Sequence, residues 1–419
     1  MGTAFTYQGC NHTLSAIYST GKETKRSMRI LLTTDLFTPS VNGVVTSVLN
    51  LCEVLTEKGH DVRILTLSPI ELSYFYNDVY FIGSMKIPVY QDIRAAVRIP
   101  PDIMKDILAW SPEIVHSQCE FFTFTFAKVI AKKSKAPLVH TYHTMYENYA
   151  RYIKLNERIG EKAVSCFVQT RLGKVKHIIA PTKKVADSLR DYGITSTLHI
   201  VPTGIDLVKF EKKETQETIM ALKQKIGISL NSPVLISIGR LAQEKKSEEL
   251  LKNFVEILKW NKNSIMLFVG DGPYREKLEH LSHSLSISDN VIFTGMIAPS
   301  DIALYYQLGT IFVAASQSET QGLTYIEALA SGLPVVCRYD DCIEDVVIAG
   351  KNGFTYTTDE EYVRSVQEIL GNDQMLKDMG ESATLQAKRY SFARFGSDVE
   401  AIYLDCLGTT KATVARESH

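Results

Sequence analysis

The chain has 419 residues, of which 45% are apolar and 22% charged, with a formal net charge of −1. That length exceeds what one hydrophobic core serves, so two or more domains are expected, and the composition excludes a disordered chain. No run of about 18 consecutive apolar residues occurs, which argues against a spanning helix, and the near-neutral balance offers no basic footprint for nucleic acid.

Residues 1–27 are mixed and polar, lack the basic start and apolar core of a secretory signal, and read as a disordered extension. Met28 opens the first strand pattern, RILLTT at 29–34. Pro39 and the pair Asn42-Gly43 then break the chain, and Val45, Val48, Leu49, Cys52 and Leu55 mark a helical face. Gly43 therefore stands at the mouth of a helix that follows a strand. Without a Cβ it lets a ligand approach the backbone, and a helix start favours anions; a plain turn glycine fits the same letters. The fingerprint G-x-G-x-x-G is absent there, which argues against an NAD-dependent dehydrogenase.

Nearly continuous β-branched runs follow at 61–67, 113–117, 137–142, 177–182 and 198–203, each trailed by a helical pattern. The segment 204–230 turns sharply charged, as a connection would. A second series then begins at 233–239, 264–270, 290–295, 310–316 and 333–338. Apolar strands alternating with helices imply parallel sheets covered on both faces, and the repeat of the series implies two doubly wound α/β domains. The expected boundaries are 28–205 and 206–389, with a last helix in 390–419 that in folds of this kind often crosses back to the first domain.

In the second series, GRLAQEK places Arg240 and Lys245 just past a strand. A planar guanidinium and a compact ammonium at that edge suit a diphosphate; taken alone, the stretch reads slightly more readily as two solvated cations pairing with Glu244 or Glu248. SETQGLTYIEALASGLPVV (318–336) puts Glu319 in the loop after the strand at 310–316. Gly322 frees the turn, and Thr324 to Ala330 read as a helix with Glu327 about one turn in. The amides near Leu323 and Thr324 point out of its start, so the segment offers carboxylate acceptors for sugar hydroxyls and donors for a phosphate, a composite that suits a sugar nucleotide. Taken singly, each acid also reads as a solvated or helix-start carboxylate. The seven Cys are scattered with no C-x-x-C, which reads as free thiols in a reducing cytoplasm; Cys337 and Cys342 read as core rather than as metal ligands.

Four stretches together, TPSVNGV (38–44), PTGID (202–206), GRLAQEK and SETQGLTYIEALASGLPVV, resemble the motif set of the retaining family-4 glycosyltransferases, over residues 28 to about 405. PLVHTYHTMYENYARYI (137–153) and ETQGLTYIEA (319–328) further resemble bacterial diacylglycerol α-glucosyltransferases. The resemblance implies a GT-B fold, two Rossmann-like parallel-sheet domains facing a cleft. It implies that Arg240 and Lys245 bind the donor diphosphate, Glu319 lies beside the transferred sugar, Glu327 grips the ribose, Gly43 approaches phosphate and sugar from the opposite domain, and His143 stands at the reacting face of the first. It implies transfer of a hexose with retention from a UDP-sugar, UDP-glucose foremost, to diacylglycerol. No cofactor or catalytic metal is then obligatory, although Mg2+ stimulation is compatible with it. Other acceptors, and a related sugar-nucleotide epimerase, are the alternatives.

Two departures from the family pattern stand out: Lys246 where a Gly often follows the motif lysine, and CRYDDC where many members carry a Gly pair. A peripheral location on the cytoplasmic, inner face of the cell membrane is also expected. Residues 28–205 hold 21 basic against 16 acidic residues, whereas 206–419 hold 22 against 30. Lys128, Lys132, Lys133 and Lys135, with Arg151, Lys154, Arg158 and Lys162, would meet anionic headgroups beside exposed aromatics drawn from Phe121, Phe122, Phe124, Phe126, Tyr142, Tyr146, Tyr149 and Tyr152. The bland alternative is a solvated helix face over a buried aromatic strand.

Overall fold

A computed structural model describes residues 26–40, 42–87, 94–146 and 157–408. The first lobe contains β1 (Arg29–Thr34), β2 (Asp61–Leu67), β3 (Tyr74–Tyr76), β4 (Val79–Ile82), β5 (Met85–Lys86), β6 (Arg94–Ala95), β7 (Ile114–Ser117), β8 (Leu138–Thr141), β9 (His177–Ala180) and β10 (Thr197–Ile200). Eight of them form one sheet in the order β10-β9-β8-β7-β1-β2-β4-β3, parallel except for the β3–β4 hairpin. The second lobe contains β11 (Val234–Ile238), β12 (Ile265–Val269), β13 (Val291–Phe293), β14 (Ile311–Ala314), β15 (Val335–Arg338) and β16 (Gly353–Tyr356), all parallel, in the order β13-β12-β11-β14-β15-β16. These are two doubly wound sheets.

Alternation along each strand fills both faces, which is why the strands read as continuous apolar runs. Ile30 and Leu32 of β1 join Val48, Leu51 and Leu55 of the helix Gly43–Glu57, while Leu31 points the other way into Ile107, Phe126 and Ile130. The strands the periodicity does not reveal are β3 to β6 and β16. Their letters, YFY, VYFI, MK, RA and GFTY, contain no continuous β-branched run; β3 and β16 lie at sheet edges, and β5 and β6 make a separate pair. One local signal does mark the hairpin. Asn77 and Asp78 both have positive φ (47° and 59°), as a two-residue turn between twisted strands requires.

The helix Phe392–Cys406 follows the second sheet in sequence but packs on the first lobe. Its Phe395, Val399, Ile402 and Tyr403 join the cluster around Ile30 and Leu32. Lys58 Nζ donates to Glu400 at 2.9 Å, and the Tyr403 hydroxyl pairs with His116 Nδ1 at 2.6 Å. The chain thus passes between lobes twice, and the two passages touch: Ile205 N donates to the Tyr390 carbonyl at 2.9 Å. Among the described residues no helix is long and apolar enough to cross a membrane.

Candidate active site

In each sheet the strand order reverses once, between β1 and β7 and between β11 and β14. Chains leaving the carboxyl ends of such a strand pair turn to opposite faces and open a crevice, the usual ligand site of open α/β sheets. The carboxyl edges of the two sheets face one another, because loops leaving them touch. Thr182, just past β9, donates its hydroxyl to the Thr320 carbonyl past β14 at 2.8 Å. Thr203 N donates to Gln321 Oε1 at 2.8 Å, and Gln321 Nε2 returns a bond to the Thr203 carbonyl at 2.9 Å.

Sequence-distant residues meet at the second crevice. Arg240 leaves β11 half exposed, with Nη2 bonded to Glu244 Oε1 at 2.6 Å. Lys245 closes a short 3-10 turn, Gln243–Lys245, and its Nζ lies 2.5 Å from Glu319 Oε1 beyond β14. Burial pushes the Glu319 carboxyl up, but the Lys245 ammonium and its hydrogen bond, then Ser316 and Lys184, hold it below its ordinary value. The helix Leu323–Ala330 starts from Gly322 at φ 73°, where a Cβ would stand 2.5 Å from the Tyr325 ring. Both conformation and space therefore demand glycine there. Glu327 sits in the second turn of the helix. Tyr306 donates its hydroxyl to Glu327 Oε2 at 2.8 Å, yet burial dominates that bond and the field of Lys209 and lifts the carboxyl to about 7. Lys246 occupies the left-handed region (φ 52°), a conformation that favours glycine; here the side chain bonds Gln317 Oε1 at 2.6 Å.

At the first crevice Gly43 begins its helix, with Asn42 capping Val45 N, and a Cβ on Gly43 would meet nothing within 4 Å. His143 follows β8, and its Nε2–H donates to Gln118 Oε1 at 2.7 Å, which leaves Nδ1 as the acceptor nitrogen. Burial, with His140 beside it, pushes the ring down to about 3, so it is neutral at physiological pH. Sequence reading missed its neighbours. Gln118 and Glu120 follow β7; Glu120 takes His140 Nε2 at 3.2 Å and the Tyr146 hydroxyl. Asp35 follows β1 and accepts from Thr123 N at 2.9 Å, while its second oxygen is buried without a hydrogen bond. Burial pushes that carboxyl up to about 6. The polar run HSQCE, which starts within β7 and continues past its end, was the available signal.

The basic surface is only partly as expected. Lys132, Lys133, Lys135 and Lys162 are exposed, whereas Lys128 is half-buried with its ammonium 5.1 Å from the Phe124 ring. Arg151, Lys154, Tyr149 and Tyr152 lie outside the described residues, and so does the side chain of Arg158. The expected exposed aromatics need correction: Phe124, Phe126 and Tyr142 are core residues, because the helix Phe122–Ser134 and the end of β8 turn them inward. Of the set, Phe121 is the one exposed ring among the described residues. Exposed apolar side chains instead concentrate at Ile70, Leu72, Phe75, Tyr76, Met85 and Val97.

Two facing doubly wound lobes, with cations, glutamates and a helix start gathered at the second switch point, define a GT-B glycosyltransferase. Comparison with known proteins agrees. The model of Glycosyltransferase Family 4 matches residues 41–209, and that of Glycosyl transferases group 1 matches residues 219–386. The chain is 36% identical over 385 residues to the alpha-monoglucosyldiacylglycerol synthase of Streptococcus pneumoniae (strain ATCC BAA-255 / R6), covering 91% of this chain and 86% of that protein. It is 34% identical to the alpha-monoglucosyldiacylglycerol synthase of Acholeplasma laidlawii, covering 91% and 98%. Among solved structures, Anabaena HepE in complex with UDP-glucose shares the fold, with a TM-score of 0.70 at 15% identity over 90% of this chain and 99% of that one. The chain belongs to the family-4 glycosyltransferases.

Proposed function

We propose that the protein transfers glucose from UDP-glucose, with retention, to the free hydroxyl of diacylglycerol at a membrane surface. The observation that carries the donor half is the meeting of Lys245 and Glu319 at the β11/β14 switch point, beside Arg240 and the start of the helix Leu323–Ala330. An ammonium has three protons; one is directed to Glu319, and the others suit phosphate oxygens. When the glycosidic C–O bond breaks, negative charge grows on the diphosphate. Lys245, the Arg240 fork and the amides near Leu323 and Thr324 stabilise it more in the transition state than before, so no metal is obligatory. Glu327 would accept a ribose hydroxyl through the oxygen that Tyr306 does not take. Glu319, kept ionised by Lys245, would orient the sugar.

Support for the acceptor half comes from the names of the two relatives that are 36% and 34% identical. In the first lobe, neutral His143 would accept a hydrogen bond from the attacking hydroxyl at Nδ1, its orientation set by Gln118. Lys132, Lys133, Lys135 and Lys162 would attract anionic headgroups at about 1 kcal/mol each, and the exposed apolar side chains of 70–97 would rest in the interface.

The test incubates the protein with radiolabelled UDP-glucose or UDP-galactose and diacylglycerol in mixed micelles, followed by thin-layer separation. Label from UDP-glucose is expected in a lipid with an α-linkage. Absence of label from lipid with both donors would refute the acceptor, and a galactolipid would refute the sugar.

A further inference from the structure

We propose that Lys184, a first-lobe residue, is a positioning residue for the donor site of the second lobe: it holds the loop carrying Glu319 from across the cleft, so that closure of the lobes completes the donor site. The inference rests on the donor reading above.

The helix Lys183–Asp191 starts directly after β9, capped by Thr182, and its first turn reaches the other lobe. Lys184 Nζ lies 2.7 and 2.6 Å from the two oxygens of Asp340, and 3.4 and 3.3 Å from the carbonyls of Gln317 and Glu319. The pair is largely dry, with side chains 16% and 6% exposed. Asp340 is itself fixed, since its Oδ1 also accepts Cys342 N at 2.8 Å. It follows β15 within CRYDDC. Thr182 grips the next carbonyl along, that of Thr320. Two first-lobe side chains thus hold three carbonyls, at 317, 319 and 320, of the loop that presents the Glu319 carboxylate to Lys245.

Removing the Lys184 ammonium would leave the Asp340 carboxylate buried without its cation and would release the loop, a strongly unfavourable change for a dry pair. The consequence is thermodynamic coupling. A residue of the acceptor lobe sets donor affinity without touching the donor, and by reciprocity a bound donor favours the closed arrangement. Lys184 also adds to the field that keeps Glu319 ionised.

The test titrates the full-length protein with UDP by calorimetry. Wild type should bind, Lys184→Ala should raise Kd about tenfold, within the usual coupling range, and Lys184→Arg should recover much of the loss. Asp340→Asn keeps an acceptor for Cys342 N and removes only the charge; it should weaken UDP similarly, which covers the case in which Lys184→Ala fails to fold. In steady state the donor KM should rise with acceptor KM unchanged. Wild-type affinity for UDP in a folded Lys184→Ala or in Asp340→Asn would overturn the inference. A wild-type protein that does not bind UDP would instead overturn the donor reading.

Discussion

Glu319 and Glu327 stand eight positions apart, and their surroundings push them in opposite directions. Glu319 has Lys245 at 2.5 Å and is held ionised. Glu327 has a tyrosine hydroxyl and a more distant Lys209, which burial outweighs, so its carboxyl titrates at about 7 rather than 4.5. The folded protein therefore binds this proton more tightly than the unfolded chain. Between about 4.5 and 7 the unfolded chain has released the proton and the folded one has not, so stability from this group is present at low pH and is lost as pH rises through 7. Above that, the folded state carries an ionised, buried glutamate at a cost on the order of 3 kcal/mol. Glu327→Gln should accordingly raise the melting temperature at pH 8 and change it little at pH 4.5, while weakening UDP binding at pH 8. Equal shifts in melting temperature at both pH values would contradict this account. The site retains an acid that the fold would be more stable without, which makes sense if a ligand hydroxyl compensates it.

At the scale of elements, two helix starts carry glycine for different reasons. Gly322 is required by the chain itself: its φ is +73° and a Cβ would collide with Tyr325. Gly43 is required by nothing within the protein, since the space beyond it is open. Gly43→Ala should therefore fold with wild-type stability, within about 0.5 kcal/mol or with a slight gain, yet raise the donor KM by tenfold or more, on the order of 1.4 kcal/mol. Gly322→Ala should lose stability as well as activity. Thermal melts beside kinetics separate the two, and a Gly43→Ala enzyme with unchanged donor kinetics would remove that glycine from the site. Lys246 presents the converse case. A lysine is held in the left-handed region, which disfavours a side chain by about 1 kcal/mol, and it bonds Gln317 of the donor loop.

At the scale of the molecule, the helix Phe392–Cys406 ties the end of the second lobe back to the first. Tyr403 pairs with His116 Nδ1, and His116 Nε2 pairs with Thr141 Oγ1 at 2.7 Å, all of it buried under the first sheet. Burial keeps the His116 ring neutral, so each of its nitrogens has one partner. Tyr403→Phe should leave Nδ1 unpaired and cost about 1–3 kcal/mol in urea unfolding, although residue 403 follows the entire second lobe in sequence. An unchanged midpoint would mean that the pair contributes nothing to docking of the helix.

The parts legible in the sequence were those written in local pattern. The β-branched runs identified eleven of the strands, and Arg240, Lys245, Glu319, Gly322 and Glu327 stood out because each sits one short loop beyond such a run, at a carboxyl edge. β3 to β6 and β16 escaped, since YFY, VYFI, MK, RA and GFTY contain no continuous β-branched run. Phe124 and Phe126 were misread as exposed because a helix face cannot be told from its back by composition alone. Gln118, Asp35, Lys184 and Asp340 were invisible for a different reason: each matters through a partner between 25 and 156 positions away. Backbone preference and hydrophobic period act over a few residues, so the chain by itself determined two parallel-sheet lobes and the edge on which chemistry gathers. Which carboxylate is charged, which imidazole nitrogen accepts and which lysine spans the cleft depend on burial and on charges brought close only by packing, and those the tertiary structure alone decided.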